Sequence, residues 1–252
     1  YGDLELSILD ELPPGRQKIK TWLVPATKRE GAYSWIEKQI KEGDQAFIVC
    51  PLIEESEAES MQTVKAATKE FENLSKRVFP KLKLGLLHGK IKPKEKDEII
   101  KKFREKKIDI LVATPVVEVG IDIPNATVML IEAAERFGLA SLHQLRGRVG
   151  RGAKQSYCLL FTESPSEKVI TRLRAMEEAK SGSELAELDL RLRGSGEIFG
   201  TRQHGFDQLK VANFSDFQLI KKSKAAAEQV FPNLTKFPKL VSRLKTHLVQ
   251  PN

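Results

Sequence analysis

The stretch Gln144-Leu145-Arg146-Gly147-Arg148-Val149-Gly150-Arg151-Gly152 packs three arginines and three glycines into nine residues. On a helix, Gln144, Arg148 and Arg151 fall at i, i+4 and i+7, on one face. Glycine inside a helix costs about 1 kcal/mol relative to alanine, so Gly147 and Gly150 together would weaken such a helix by about 2 kcal/mol. A plain basic surface helix has no use for that loss. The glycines make sense where another backbone or a ligand must come close. Arginines fixed on such a face can stabilise charge on a transferring γ-phosphate. The competing reading is a solvated basic face at a domain end.

Three further segments carry chemistry-bearing residues. In Val112-Ala113-Thr114-Pro115-Val116-Val117-Glu118-Val119-Gly120-Ile121-Asp122-Ile123-Pro124, an apolar strand runs into a loop. The segment is expected at the carboxyl end of a parallel sheet, where α/β folds bind ligands. Gly120 permits close backbone approach, Asp122 can accept a hydrogen bond from a ribose hydroxyl, and Thr114 can donate to a nucleic-acid phosphate. Leu87-His88-Gly89-Lys90 closes another strand ahead of a lysine-rich helix with Lys92, Lys94 and Lys96. That group could grip a DNA backbone, or be a turn beside solvated lysines. Residues 189–205, which include Arg191, Arg193, Glu197, Arg202 and Gln203, form a basic helix end, a glycine break and a polar loop. Glycines flanking that many charges suggest a hinge, and the alternative is a linker.

No phosphate-cradling loop is legible. Such a loop needs Gly, four residues, then Gly-Lys-Ser/Thr. Gly85-Leu86-Leu87-His88-Gly89-Lys90-Ile91 imitates it, with only three residues between the glycines and no hydroxyl at Ile91. Ser7-Ile8-Leu9-Asp10-Glu11 imitates a strand ending in a metal site, but no phosphate loop precedes it. No Cys or His spacing suggests a metal.

The elements that must position these residues follow from periodicity. Strands are expected at 19–25, 46–50, 82–87, 108–113, 127–131 and 156–161. Helices are expected at about 32–40, 58–78, 93–106 and 139–151. Pro93 stands at a helix start, where its missing N–H costs nothing. Strands alternating with helices at this spacing mean a parallel α/β sheet. After Phe161 the pattern turns helical, near 167–180, 183–193 and 216–230, so a boundary is placed near residue 163. The expected organisation is a lead-in at 1–18, an α/β domain at 19–163 and a helical segment at 164–252.

Composition sets the outer bounds. The chain has 252 residues, 40% of them hydrophobic, and a net charge of +8 from 42 Lys and Arg against 34 Asp and Glu. That balance favours partners bearing phosphates. The sequence contains no apolar run of the roughly 20 residues that a membrane span needs. Nor does its start combine a basic region with an apolar one, as a secretory signal would. It opens on Tyr1 rather than Met, which leads us to expect a fragment. Cys50 and Cys158 sit in short apolar runs and read as buried thiols in a reducing compartment.

Taken together, the segments resemble superfamily 2 helicases of the RecG type over nearly the whole chain, with a weak match after about residue 236. The stretch 144–152 resembles the last motif of that superfamily, and 112–124 resembles its motif V. Residues 189–205 resemble a translocation motif shared with the Mfd transcription-repair coupling factor, and Gly200-Thr201-Arg202-Gln203 favours RecG. Lys90, Pro115 and Ser195 depart from the usual family residues.

The resemblance implies a RecA-like sheet domain that lacks the P-loop, followed by a helical segment. It implies catalytic Arg148 and Arg151 with Gln144, nucleotide-facing Glu118, Gly120 and Asp122, and DNA-facing Thr114, His88, Gly89 and Lys90. Coupling to translocation would fall to Arg191, Arg193, Glu197, Arg202 and Gln203. ATP and Mg²⁺ would be held mostly by another motor domain in cis, so this piece alone would bind neither and would be inactive. The implied partners are branched or duplex DNA and a wedge domain in cis. The implied setting is a monomer at the bacterial nucleoid in the cytoplasm, away from any membrane. Rival readings are an Mfd-type translocase, an RNA helicase domain, and a nucleic-acid-binding module without motor function.

Overall fold

The computed structural model describes residues 17–51, 57–115, 123–179 and 217–248, together with Gly182, Glu184, Leu185 and Leu188. The strands are β1 (Lys20–Val24), β2 (Gln45–Val49), β3 (Leu84–Leu87), β4 (Ile110–Ala113), β5 (Ala126–Ile131) and β6 (Tyr157–Phe161). They form one sheet in the order β1-β6-β5-β2-β4-β3, and every pairing is parallel. In such a sheet both faces are covered, so the strands read as near-continuous apolar runs. Strands β2, β4 and β5 are buried along their whole length.

Alternation along the strands divides the core in two. Ala46, Ile48, Ile110, Val112, Val128, Leu130, Leu159 and Phe161 point to one face. There they meet Ile36 and Ile40 of α1 (Arg29–Lys41) and Ala67 of α2 (Glu57–Asn73). Phe47, Val49, Leu111, Ala113, Met129, Ile131, Cys158 and Leu160 point to the other. That face is covered by Phe103 of α3 (Pro93–Arg104), by Leu139, Leu142 and Leu145 of α4 (Leu139–Arg146), and by Leu173 and Met176 of α5 (Glu167–Glu178).

Pro93 opens α3 at a position where Pro is tolerated. Helix α2 continues into a wider π turn at Leu74–Val78, in which Phe79 N donates to Leu74 O at 2.7 Å and both Leu74 and Phe79 are buried. Gly85 lies inside β3, where an added Cβ would stand 2.8 Å from Ile108 Cδ1. It serves close strand packing, and the phosphate-loop imitation at 85–91 is a strand running into a turn.

The sheet-bearing unit spans Leu9–Asp189. Helix α5 belongs to it for a physical reason. Glu177 Oε1 accepts from Leu23 N at 2.7 Å, satisfying an outward-facing amide of edge strand β1, while Leu173 and Met176 fill the core. Leu190–Asn252 belongs to the second unit. Its described part comprises α6 (Phe217–Val230), a 3-10 stretch Phe231–Lys236 kinked at Asn233, and α7 (Pro238–Leu248). No described helix is long and apolar enough to cross a membrane. Cys50 and Cys158 are buried free thiols, and burial pushes the Cys158 thiol up to about 12.

Candidate functional site

Because all strands run one way, each connection starts at the sheet's carboxyl edge and must return to its amino edge. The candidate residues divide between those edges.

At the carboxyl edge, Leu87 pairs with Ala113, so His88 and Thr114 leave adjacent strands side by side. Thr114 N donates to Leu87 O at 3.1 Å, and Thr114 is buried. His88 is half-buried, while Gly89 and Lys90 are exposed in the turn that Ile91 N closes on His88 O at 3.2 Å. Burial holds the His88 imidazole below its usual range; Glu95 pulls the other way and Lys90 adds to the depression. Two segments about 26 residues apart in sequence thus supply a hydroxyl, an imidazole and an ammonium group at one edge.

The same edge holds a partly buried polar network that no local sequence pattern signals. Arg29 bridges Glu132 and Glu163, donates from Nε to Tyr33 Oη at 2.9 Å, and stacks 4.8 Å over the Phe161 ring. The Tyr33 hydroxyl donates to Glu132 Oε1 at 3.1 Å. Burial pushes the Glu132 carboxyl up against the pull of Arg29. Directly after Glu132, Ala133 takes a left-handed backbone with φ 45°, which bends the chain toward α4.

The arginine stretch lies at the opposite, amino edge, and its local structure corrects the sequence expectation. Helix α4 stops at Arg146, with Gly147 as its C-cap, rather than running to 151. Gln144, Arg148 and Arg151 therefore do not share one helical face. The proposed cost of two glycines within a helix does not arise either. Arg148 N and Val149 N close a turn on Leu145 O and Arg146 O. Gly150 then adopts φ +73°, a conformation that L side chains rarely take. Gly152 approaches the next element so closely that a Cβ would stand 3.1 Å from Pro124 O, just before β5.

The three arginines differ in environment. Arg146 is buried; its Nη1 donates to Met176 O at 2.9 Å and its Nη2 meets His143 Nδ1 at 3.0 Å, tying α4 to α5. Burial lowers its pKa. Arg148 is half-buried and Arg151 is exposed, as is Gln144. Arg172 of α5 answers from the other end of α4, donating to Phe137 O at 2.8 Å and Glu135 O at 2.6 Å.

The arginine loop is pinned from several sides. Lys154 Nζ pairs with Asp44 Oδ1 at 2.5 Å, Gln17 Nε2 donates to Ala153 O at 2.9 Å, and Gln155 Nε2 donates to Lys18 O at 2.9 Å. These pairs join residues more than a hundred positions apart, which a single sequence does not signal. Glu118, Gly120 and Asp122 lie outside the described residues, as do Arg191, Arg193, Glu197, Arg202 and Gln203. The segment 112–124 is nevertheless not confined to the carboxyl edge. It begins there at Thr114 and has reached the amino edge by Ile123 and Pro124, beside Gly152.

Comparison with known proteins gives consistent matches. Residues 29–153 match the helicase conserved C-terminal domain, and residues 179–242 match ATP-dependent DNA helicase RecG, domain 3, C-terminal. The ATP-dependent DNA helicase RecG of Synechocystis sp. is 48% identical over 248 residues, covering 97% of this chain and 30% of the relative. That of Thermotoga maritima is 47% identical over 231 residues, covering 91% and 29%. Among solved structures, RecG bound to a three-way DNA junction matches with a TM-score of 0.63 at 45% identity, over 84% of this chain and 27% of that one. Domain 2 of the DEAD-box helicase Mss116p, bound to an RNA duplex, matches with a TM-score of 0.50 at 26% identity, over 64% and 61%. The chain spans about 30% of the length of the curated relatives it matches.

Proposed function

The chain belongs to the RecG family of ATP-dependent DNA helicases, and on that premise we propose that it is the second half of a motor that remodels branched DNA. In this reading ATP with Mg²⁺ is held chiefly by an upstream motor domain, and a wedge domain splits the junction. The whole acts as a monomer on stalled forks and Holliday junctions at the bacterial nucleoid. The RecG match over 179–242 disfavours the Mfd-type and non-motor alternatives.

The observation that carries the reading is the separation of chemistries across one sheet. The amino edge offers the glycine-shaped loop with Arg148 and Arg151 against the start of β5. The carboxyl edge offers Thr114, His88, Gly89 and Lys90. Phosphoryl transfer from bound ATP supplies the driving free energy. Arg148 and Arg151 offset charge on the transferring group when the motor cleft closes. Gln144, on the exposed side of α4, orients the phosphate end. Glu118, Gly120 and Asp122 contact the nucleoside. Thr114, His88, Gly89 and Lys90 hold the DNA backbone by hydrogen bonds and charge. Residues 189–205, through Arg191, Arg193, Glu197, Arg202 and Gln203, transmit the cleft's motion to the duplex.

The test is Arg151→Ala in the full-length enzyme. DNA-stimulated turnover should fall by about a thousandfold or more, while DNA affinity stays within about twofold, because Arg151 acts on transition-state charge rather than on DNA. Unchanged turnover would remove Arg151 from that role. The 252-residue chain alone should not hydrolyse ATP, with or without DNA.

A further inference from the structure

The residues that lead into β1 lie against the arginine loop through contacts beyond ordinary strand pairing. Lys20 N donates to Ser156 O at 3.0 Å, which merely extends the β1–β6 ladder. The remaining contacts are side-chain clips. Gln17 reaches across to Ala153 O and Gln155 reaches back to Lys18 O, each at 2.9 Å. Between these two clips, Ile19 occupies the space that a side chain on Gly150 would need; a Cβ there would stand 2.9 Å from Ile19 Cγ1. Ile19 is itself packed on the core face that carries α4. Next along the chain, Lys154 is pinned to Asp44, in the turn between α1 and β2, whose side chain is only 10% exposed. The loop bearing Arg148 and Arg151 is therefore held both by the turn between α1 and β2 and by the residues that lead into β1.

We infer that residues 17–19 are positioning residues for the arginine loop: the segment entering the domain sets where the guanidinium groups stand. This rests on the arginine reading above and adds to it. In the full-length protein this segment carries the covalent path from the upstream motor domain. A change in its path is thus handed straight to the loop through Ile19 and the two glutamines. A displacement of about 1 Å at a reacting group can cost about a hundredfold in rate, so clips of this size matter to turnover without touching the nucleotide.

The experiment compares Ile19→Ala and the surface double variant Gln17→Ala/Gln155→Ala in the full-length enzyme, with Arg151→Ala alongside. The double variant guards against a folding defect in Ile19→Ala. Turnover at saturating ATP should drop by about tenfold in both, while KM for ATP and affinity for a forked duplex stay close to the parent's, as does the thermal midpoint of the double variant. Two results would overturn the inference: turnover within about twofold of the parent in both variants, or a loss of turnover matched by loss of fold or nucleotide affinity. If Arg151→Ala retains turnover, the arginine reading fails and this inference falls with it. If Arg151→Ala is inactive while the clip variants are normal, only the inference falls.

Discussion

Arg146 and Arg151 stand five residues apart in one motif, and the structure gives them opposite surroundings, which a pair of alanine substitutions separates. Arg146 is buried and gives charged hydrogen bonds to Met176 O at 2.9 Å and to His143 Nδ1 at 3.0 Å. A hydrogen bond to a charged group contributes about 1.5–3 kcal/mol, and a buried carbonyl left without its donor adds to the loss. The arginine stem also packs. Arg146→Ala should therefore cost about 3 kcal/mol. For a unit of this size that is a fall of about 6–12 °C in thermal midpoint. Arg151 is exposed, where an ion pair contributes about 1 kcal/mol at most, so Arg151→Ala should fall within that figure.

Urea unfolding followed by tryptophan fluorescence reads the difference cleanly. The chain has two tryptophans, Trp22 and Trp35, and both lie in the sheet-bearing unit with ring centroids 5.9 Å apart. The signal therefore reports that unit alone. If Arg146→Ala unfolds within about 1 kcal/mol of the parent, or if the two variants cannot be told apart, the division between a tying arginine and an exposed, structurally dispensable one is wrong.

Two other outcomes are expected. Burial holds the His88 and His143 imidazoles below their usual range, with Arg146 adding to the depression at His143. Both bind protons more readily when unfolded, so their share of stability is intact above about pH 6.5 and is lost as pH falls through the folded-state values. Urea midpoints should therefore drop below that pH, and His143→Gln should flatten the slope; a flat profile in the parent would contradict this. Arg172→Ala removes the two carbonyl bonds that hold the turn before α4, at a cost of about 3 kcal/mol. Amide exchange in the first turn of α4 should speed up, and exchange unchanged there would show that Arg172 does not hold that turn.

The sheet was legible because parallel strands buried on both faces leave apolar runs, such as Ala46–Val49 and Val128–Ile131. The end of α4 was not. Gly147 and Gly150 keep helical spacing, and spacing cannot tell a glycine inside a helix from one that ends it; only the +73° φ at Gly150 decides. Segment 112–124, by contrast, carries a cue to its own placement. Thr114 follows a strand and Pro124 precedes one, and a connection between parallel strands has to travel from one edge to the other, so the two ends of 112–124 could never share an edge. The packing of α5 on the sheet has no local sign, because Glu177 and Leu173 reveal it only through contacts with β1 and the core. Arg29 with Glu132, and Asp44 with Lys154, are pairs that folding brings together across the chain, and no local pattern encodes them.

The parallel sheet makes the domain a lever. Its strands are four to six residues long, so the two working rims stand about 13–20 Å apart. A stiff body of that height, tilted by about 10° at the arginine rim, swings the opposite rim by about 3 Å, close to the axial rise of about 3.4 Å per phosphate of one DNA strand. No internal rearrangement is required for a swing of that size: a well-packed block of this height converts a slight rocking into it.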